Sequence, residues 1–311
     1  MPDTLPPAAK FRDPLRTASG EKRAQVPLHR LDTLWVNTGT LCNVTCAHCY
    51  LESSPRNDRL AYLSAAELAE YLEEIARDRL GTGTIGFTGG EPFMNPALAA
   101  MLEDVLARGF TALVLTNGMQ PLWNARRWLT ALRRHGPRLV LRVSLDHYTA
   151  AVHEAERGRG TWAPTLRGLR WLAAAGFTLH VAGRRFTAEP EAALRAGYAA
   201  LFAELGVPVD AHDPVRLVLF PEMDAAADVP EITEACWGTL GRSPRDVMCA
   251  GARMVVKRNG APHPTVLACT LLPYDPRFDL GRSLREAAVP VALNHPHCAK
   301  FCVLGGGACS R

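Results

Sequence analysis

The stretch LCNVTCAHCY, residues 41–50, places Cys42, Cys46 and Cys49 in one short segment with the spacing C-x3-C-x2-C. A structural zinc site usually combines two C-x2-C pairs, and this stretch has only one. Buried cysteines without ligands are common singly, which does not explain three in one segment. A cubane iron–sulfur cluster takes soft thiolates from closely spaced cysteines. We therefore favour iron–sulfur ligation over zinc or unliganded thiols.

A cubane cluster has four irons, so three local thiolates leave one iron open to a substrate or a cofactor. An electron carrier or a redox sensor would instead have every iron ligated by protein. The segment therefore predicts a reaction centre.

The composition is that of a globular protein, because 48% of the 311 residues are hydrophobic and 21% are charged. That is enough to bury the core of one large domain and a small one. The formal net charge is only +4, and the arginines are spread along the sequence without a lysine-rich run. We therefore expect no nucleic-acid partner.

No run approaches the roughly 18 apolar residues of a membrane span, and the N-terminal residues lack the apolar core of a secretory signal. We therefore expect a cytoplasmic protein without a membrane partner. In that compartment the nine cysteines stay reduced, which favours ligation or catalysis over disulfides.

After about 30 residues that resemble a loosely ordered arm, short β-branched segments alternate with longer helical ones. Six parallel strands joined by helices are expected, in an open sheet or a partial barrel. Either arrangement gathers ligands at the carboxyl ends of the strands, and the cysteine segment follows the first strand. The predicted strands are TLWVN (33–37), TIGFT (84–88), TALVLT (111–116), RLVLRVSL (138–145), FTLHVAG (177–183) and VRLVLF (215–220).

The helices between these strands have recognisable ends. Ser64 and Glu67 form the S-x-x-E pattern of a capping box at the start of the first helix. Asn95 is expected to open the next helix, Gly109 to close it, and Gly176 to close the helix that starts near residue 162.

The turn Gly89-Gly90-Glu91-Pro92 follows the second predicted strand, and Tyr50 directly follows the third cysteine of the first segment. Together with C-x3-C-x2-C after the first strand, this resembles the radical S-adenosylmethionine (SAM) superfamily. The resemblance implies an α/β fold with a partial (β/α)6 TIM-like barrel, and a 4Fe-4S cluster whose open iron is chelated by SAM. An electron from a donor such as flavodoxin or ferredoxin would then cleave SAM to a 5′-deoxyadenosyl radical.

The resemblance also implies residues that bind SAM. Gly89, Gly90 and Glu91 would hold the methionine ammonium group, and Tyr50 would contact the cofactor. Four further positions are similar to those where relatives contact the ribose or the methionine carboxylate, although strand-end residues also serve as turns or caps and surface arginines are common. They are Asn117, Ser144, Asp146 and Arg157. No catalytic side chain is identified.

A second group of cysteines follows residue 240, namely Cys249, Cys269, Cys298, Cys302 and Cys309. The first two flank a predicted β-hairpin that turns at Asn259-Gly260. Four dispersed cysteines are also what a structural zinc site uses, so zinc stays an alternative here. Cys236 has no neighbouring cysteine and is interpreted as a core residue.

This order of cysteine, hairpin, cysteine and close pair resembles the twitch domain, a shortened relative of the SPASM domain. The resemblance implies an auxiliary 4Fe-4S cluster, and hence two clusters in all, with Cys302 or Cys309 as the fourth ligand. The expected divisions are an arm (1–32), the barrel (33–230) and a twitch/SPASM-like domain (231–311).

In relatives, an auxiliary cluster accepts an electron from a substrate radical or anchors the substrate. The predicted function is therefore a radical oxidoreductase that dehydrogenates or cross-links its substrate. Because the arm is too short to form a peptide-recognition domain, we expect a small-molecule substrate, with a peptide maturase as the alternative. The alternative from another class is a non-catalytic iron–sulfur electron carrier or redox sensor, which would have no use for the GGEP turn.

Overall fold

Ten strands and seven α-helices are found in the computed structural model, which describes residues 10–185, 187–222 and 227–308. The strands are β1 Gln25–Val26, β2 Thr33–Asn37, β3 Thr84–Thr88, β4 Thr111–Thr116, β5 Leu139–Ser144, β6 Thr178–Arg185, β7 Leu217–Pro221, β8 Ala252–Val256, β9 Thr265–Leu267 and β10 Val291–Ala292. The α-helices are α1 Ala65–Asp78, α2 Leu98–Ala107, α3 Gln120–Ala131, α4 Ala150–Arg157, α5 Trp162–Ala174, α6 Glu191–Leu205 and α7 Cys236–Leu240.

Strands β2 to β7 lie side by side in chain order, and every neighbouring pair among them is parallel. All six predicted strands are confirmed. Beyond β2, the sheet continues through β8, which is parallel to β2, to β9, which is antiparallel to β8. The sheet is not closed, since β7 and β9 are its two edges. The predicted α/β fold with a partial barrel is therefore confirmed.

The two faces of the sheet are covered differently. In β2, Leu34 and Val36 belong to the core shared with the outer helices, while Trp35 belongs to a core on the inner face, as the alternation of side chains in a strand requires. Gly86 in β3 makes room for the Trp35 ring, since a Cβ there would lie 2.4 Å from it. The inner core continues into residues of the C-terminal part of the chain.

The predicted capping box and the two closing glycines are confirmed, whereas α2 begins after Ala97, which caps it without a side-chain hydrogen bond, rather than directly after Asn95. Ser64 and Glu67 make both hydrogen bonds of the capping box at the start of α1. Asn95 accepts a hydrogen bond from the N–H of Ala97 at 2.8 Å, just before α2. Gly109 and Gly176 follow α2 and α5 with φ of 91° and 73°, which is the left-handed conformation expected after a helix.

The arm differs from the expectation of loose order. Strand β1 pairs with β10, and Val26 is fully buried. Arg23, only 1% exposed, forms an ion pair with Glu231 and donates to the carbonyl of Leu293. Residues 10–32, the described part of the arm, thus pack against the C-terminal part of the chain, and residues 1–9 lie outside the described residues. The few apolar residues of the arm show no periodic pattern that would have predicted this packing. Their partners are more than 200 residues away in the sequence.

The predicted hairpin is confirmed, with β8 and β9 antiparallel and Gly260 at φ 76° in the turn. Its first strand extends the main sheet, so the division at residue 230 stays a prediction. None of the helices in the described part of the chain has the length and apolar content that crossing a bilayer requires.

Candidate functional site

A cavity of about 180 Å³ opens at the carboxyl ends of the barrel strands, and Cys42, Cys46 and Cys49 all line it. The loops after β2, β3, β4 and β5 meet here because the carboxyl ends of parallel strands share one edge of the sheet. The structure therefore brings together most of the residues that the sequence singled out. Those that line the same cavity are Tyr50, Gly89, Gly90, Asn117, Ser144, Asp146 and Arg157.

The two glycines of the GGEP turn press against the backbone that leads into the cysteine segment. Gly90 donates from its N–H to the carbonyl of Gly39 at 2.7 Å, and Glu91 donates to the carbonyl of Leu41 at 3.1 Å. A Cβ on Gly90 would lie 2.0 Å from that Leu41 oxygen, and Gly89 has φ 134°. Only glycine permits so close an approach, so this turn fixes the start of the cysteine segment.

Glu91 lies beneath the cavity and is not among the residues that line it. Its carboxylate accepts hydrogen bonds from the N–H of Asn117 at 2.8 Å and from the hydroxyl of Thr116 at 2.9 Å. Burial raises the pKa of Glu91 to about 7, although these hydrogen bonds oppose the shift. Besides its predicted contact with SAM, Glu91 therefore ties the end of β3 to the end of β4.

Asn117 connects β4 to the first cysteine. Its side-chain amide lies 3.9 Å from Sγ of Cys42 and donates to Asn43 at 2.8 Å. Burial raises the pKa of Cys42 to about 12. A thiol in this environment becomes a thiolate when a soft metal takes the charge, so the group fits an iron–sulfur cluster better than a free nucleophile.

Arg157 and Asp146 form an ion pair at the side of the cavity, with Nε of the arginine 2.6 Å from the carboxylate. Burial alone would lower the pKa of Arg157, but the charge of Asp146, the hydrogen bond to it and the nearby Cys46 and Cys42 together more than offset burial and raise the pKa. Burial raises the pKa of Cys46 to about 11, and the nearby Arg157 opposes that shift. Arg157 is thus a fixed positive charge next to the cysteines.

Glu156 holds the middle of the cysteine segment and was missed in the sequence. Its carboxylate accepts from the N–H of His48 at 3.0 Å and contacts Nδ1 of that ring at 2.7 Å. It also pairs with Arg184 of β6 at 2.5 Å, and its backbone carbonyl accepts from Ala47. The only signal in the sequence was its position next to Arg157, because the segment it holds is more than 100 residues away.

A second, small cavity of about 20 Å³ is lined by Cys249, Cys269, Cys298 and Cys302. Its other walls are apolar, formed by Val247, Met248, Phe278, Val291 and Leu293. Burial raises the pKa of Cys249 to about 11 and that of Cys298 to about 12. Four thiols line one apolar space, and soft thiolates in that number are the ligands that a 4Fe-4S cluster takes. Cys309 lies outside the described residues.

Aromatic rings lie between the two groups of cysteines. Phe301, fully buried between Cys298 and Cys302 in the π-helical segment Cys298–Leu304, contacts Tyr50 with ring centroids 6.4 Å apart. It also stacks on Phe220 at 5.7 Å. Tyr50 and Phe220 line the first cavity, so aromatic side chains of that cavity pack against the segment that carries two cysteines of the second.

Among the residues that the structure describes, no three His, Cys, Asp or Glu side chains converge closely enough to hold a single metal ion. The case for metal therefore depends on the cysteines that line the two cavities. Cys236 lies away from both groups, with its Sγ accepting from the N–H of Thr233 at 3.4 Å.

Comparison with known proteins places these features in a family. The family model "Radical SAM superfamily" matches residues 36–195, which contain the first cavity's cysteines, the GGEP turn and strands β3 to β6. This is about half of the chain, and it is the half that carries the motifs of the first site.

Two curated relatives match part of the chain. The antilisterial bacteriocin subtilosin biosynthesis protein AlbA of Bacillus subtilis (strain 168) is 32% identical over 167 residues, which are 53% of this chain and 35% of AlbA. The mycofactocin maturase MftC of Mycobacterium ulcerans (strain Agy99) is 33% identical over 136 residues, 44% of this chain and 35% of MftC. The matching segment thus spans about a third of each relative.

Two solved structures share the fold. Streptococcus suis SuiB bound to S-adenosylmethionine aligns with a TM-score of 0.59 and 11% identity, covering 81% of this chain and 63% of SuiB. The protein anSMEcpe with bound AdoMet aligns with a TM-score of 0.58 and 14% identity, covering 82% and 79% of the two chains. At these identities the likeness concerns the fold alone.

Proposed function

The chain belongs to the radical SAM superfamily, and on that premise we propose that it is an oxidative modifying enzyme whose substrate is a peptide. Radical SAM enzymes use SAM and a 4Fe-4S cluster. AlbA and MftC bear the names of a bacteriocin biosynthesis protein and a maturase, and these names support a peptide substrate over the small molecule favoured from the length of the arm. A GTP 3′,8-cyclase also matches, at 30% identity, and represents the small-molecule alternative.

Cys42, Cys46 and Cys49 are the proposed ligands of the first cluster, with Glu156 and the GGEP turn holding their segment in place. When bound, this cluster and SAM supply a radical that removes a hydrogen atom from the substrate, and an auxiliary cluster supplies an acceptor for a second electron. The apolar and aromatic wall formed by Leu115, Phe220 and Tyr50 would exclude water from the reacting carbon. Arg157 is proposed to bind a carboxylate of the cofactor.

Cys249, Cys269, Cys298 and Cys302 are the proposed ligands of the auxiliary cluster. The single observation that carries the oxidative function is an aromatic contact: Tyr50 and Phe220 face the first cavity and both contact Phe301, which lies between two of these cysteines in the sequence. A substrate in the first cavity would therefore be close to both groups of thiols. A structural zinc site in the second cavity remains the alternative to be tested.

The test uses the anaerobically reconstituted chain with SAM and dithionite. Its substrates are synthetic peptides that represent every short reading frame beside its gene. We expect one peptide to lose two hydrogen atoms by mass spectrometry, with 5′-deoxyadenosine formed in equal amount. Absence of 5′-deoxyadenosine would contradict the radical chemistry. Formation of 5′-deoxyadenosine without change in any peptide, together with conversion of GTP, would favour a small-molecule substrate.

A further inference from the structure

The fold gathers arginines that are spread along the sequence onto one face of the molecule. Residues 117–138 contain five arginines and residues 157–176 contain four, and neither stretch has an Asp or a Glu. These stretches include α3 and α5, which contact each other. Helix α1 shows the opposite balance, with five acidic residues and one arginine. The surface charge is therefore uneven, although the net charge is small.

Arginines and tryptophans interleave where α3 meets α5. The guanidinium of Arg126 lies 3.5 Å from the centroid of the Trp123 ring, and that of Arg167 lies 4.7 Å from the same ring. Trp171 contacts Trp123 edge to face at 6.4 Å. Arg170 is exposed on α5 one turn after Arg167. We call these five residues the Arg–Trp face.

The charges of this face are not neutralised within the described residues. Elsewhere on the surface, arginines are paired with carboxylates, as Arg108 is with Asp104 and Arg195 with Glu191. No described carboxylate forms an ion pair with Arg126, Arg167 or Arg170, and the side-chain bond of Arg167 goes to the neutral Gln120 at 3.4 Å. Such a face attracts an acidic partner, and its half-buried aromatic rings add contact area.

The same helices flank the first cysteine site. The hydroxyl of Thr165 in α5 donates to the carbonyl of Asn117 at 3.1 Å, and a Cβ on Gly168 would lie 1.8 Å from the carbonyl oxygen of Gly118. Asn117 in turn contacts Cys42. Arg167 lies between Thr165 and Gly168 in sequence but is exposed, so roughly one helix diameter, about 10 Å, separates this face from the turn that touches Cys42.

We propose that the Arg–Trp face is the docking surface for an acidic one-electron carrier protein, which reduces the first cysteine site. This rests on the proposed role of that site as the cluster that receives an electron. The partner class follows from the uncompensated positive charge and from the adjacency to Cys42. Electron-transfer partners form small, transient interfaces, which charge attraction assembles quickly.

The test compares two charge-reversal variants of equal size, both checked by circular dichroism. The first is Arg126→Glu, Arg167→Glu and Arg170→Glu together. The matched control is Arg245→Glu, Arg282→Glu and Arg285→Glu, which reverses three exposed charges outside α3 and α5. The probe is a purified flavodoxin, titrated in its oxidised form against the chain at low and at physiological salt.

We expect the first variant to raise the Kd for flavodoxin by about tenfold or more and to weaken its dependence on salt, while the control stays within about twofold of wild type. With flavodoxin as reductant, formation of 5′-deoxyadenosine should fall in the first variant. With dithionite, which needs no docking surface, it should be unchanged.

Equal flavodoxin affinity in both variants would overturn the docking proposal, as would absence of binding to wild type. Preferential binding of wild type to an RNA homopolymer or to anionic vesicles, without flavodoxin binding, would assign the face to another partner and overturn it as well. Failure of the proposed function has a different signature, because dithionite would then yield no 5′-deoxyadenosine even in wild type, whatever the result of the flavodoxin titration.

Discussion

The first cysteine site takes its thiols from one local segment, residues 42–49, and opens into a cavity of about 180 Å³ with charged groups along its side. The second takes four thiols from three distant segments and encloses only about 20 Å³ between apolar side chains. Thiols from one local segment approach a bound group from one side only. The other side faces the strand ends, so one ligand position of that group can stay open. At the second site, three converging segments surround the space between the thiols, which suits a group that is held rather than one that binds a substrate.

The two sites also depend on the rest of the fold differently. At the first, the spacing of the cysteines is local, but their position depends on Gly90, Asn117 and Glu156, which come from three other loops and helices. At the second, the cysteines themselves bring the distant segments together. Changes at the two sites should therefore have different consequences, and the predictions below test this, beginning with the largest effect.

The largest effect is expected from changing Cys42, Cys46 and Cys49 together to Ala. Iron should fall from about eight to about four atoms per chain, and 5′-deoxyadenosine should fall to background, because the reaction begins at this site. Iron analysis and chromatography of the products check this. Cys236→Ala, outside both cavities, is the control and should keep all the iron. Full iron in the triple variant would show that residues 42–49 are not the cluster site.

Cys269→Ala should affect the second site and leave the first site intact. Iron should again fall to about four atoms per chain, but cleavage of SAM should stay within about twofold of wild type, while oxidised product disappears. If the second cavity holds structural zinc, wild type will instead contain zinc and only about four irons, and the variant will lose solubility.

A third pair of variants tests which cysteine is the fourth ligand of the second site. Because Cys302 lines the cavity with the other three cysteines, Cys302→Ala should lose the second cluster and Cys309→Ala should keep it. The measurement is iron content with the absorbance of the reconstituted chain near the cluster bands. The reverse pattern would identify Cys309 as the ligand.

Gly90→Ala tests how the GGEP turn positions the first site. The added Cβ would meet the Leu41 carbonyl oxygen at 2.0 Å, so we expect a loss of about 1–3 kcal/mol in the free energy of unfolding and weaker SAM binding. Denaturant unfolding and a SAM titration measure these. Gly83→Ala is the matched control, since nothing lies within 4 Å of a Cβ at that position. Equal effects in both variants would argue against a positioning role.

The smallest effect is expected from Glu91→Gln. The amide keeps the shape but replaces an acceptor oxygen with a donor, so one buried hydrogen bond from Thr116 or Asn117 is lost, at about 1–3 kcal/mol. SAM affinity should fall by about tenfold because the charge next to the methionine ammonium is removed, with iron content retained. Glu73→Gln, exposed on α1, is the control. Unchanged SAM affinity would leave Glu91 with only its link between β3 and β4.

Several elements could be read from the sequence because their signals are local. The β-branched segments that form β2 to β7, the capping box at Ser64 and the hairpin turn at Gly260 each depend on residues within one turn or strand. The residues after the strands, among them Asn117 and Ser144, could be grouped before the structure was known, because parallel strands bring their carboxyl ends to one edge.

Other features could not be read in this way. The packing of Arg23 on Glu231, the position of Glu156 beneath His48 and the Arg–Trp face all join residues far apart in the chain, without a periodic pattern that would pair them. The expectation that the arginines are simply spread along the sequence overlooks residues 117–138 and 157–176, which contain arginines but no Asp or Glu. It does not hold on the surface, because two helices separated by β5 and α4 become neighbours in space.

By itself, the sequence determined the α/β class, the six parallel strands and the segment of three cysteines with its glycine turn, because short-range spacing and backbone restrictions specify each of them. Only the tertiary structure decided that β8 extends the barrel sheet, that Cys302 joins Cys249, Cys269 and Cys298 around one cavity, and that Phe301 packs against Tyr50 of the first cavity. These depend on which distant surfaces bury one another, and that choice is made by the packing of the whole core.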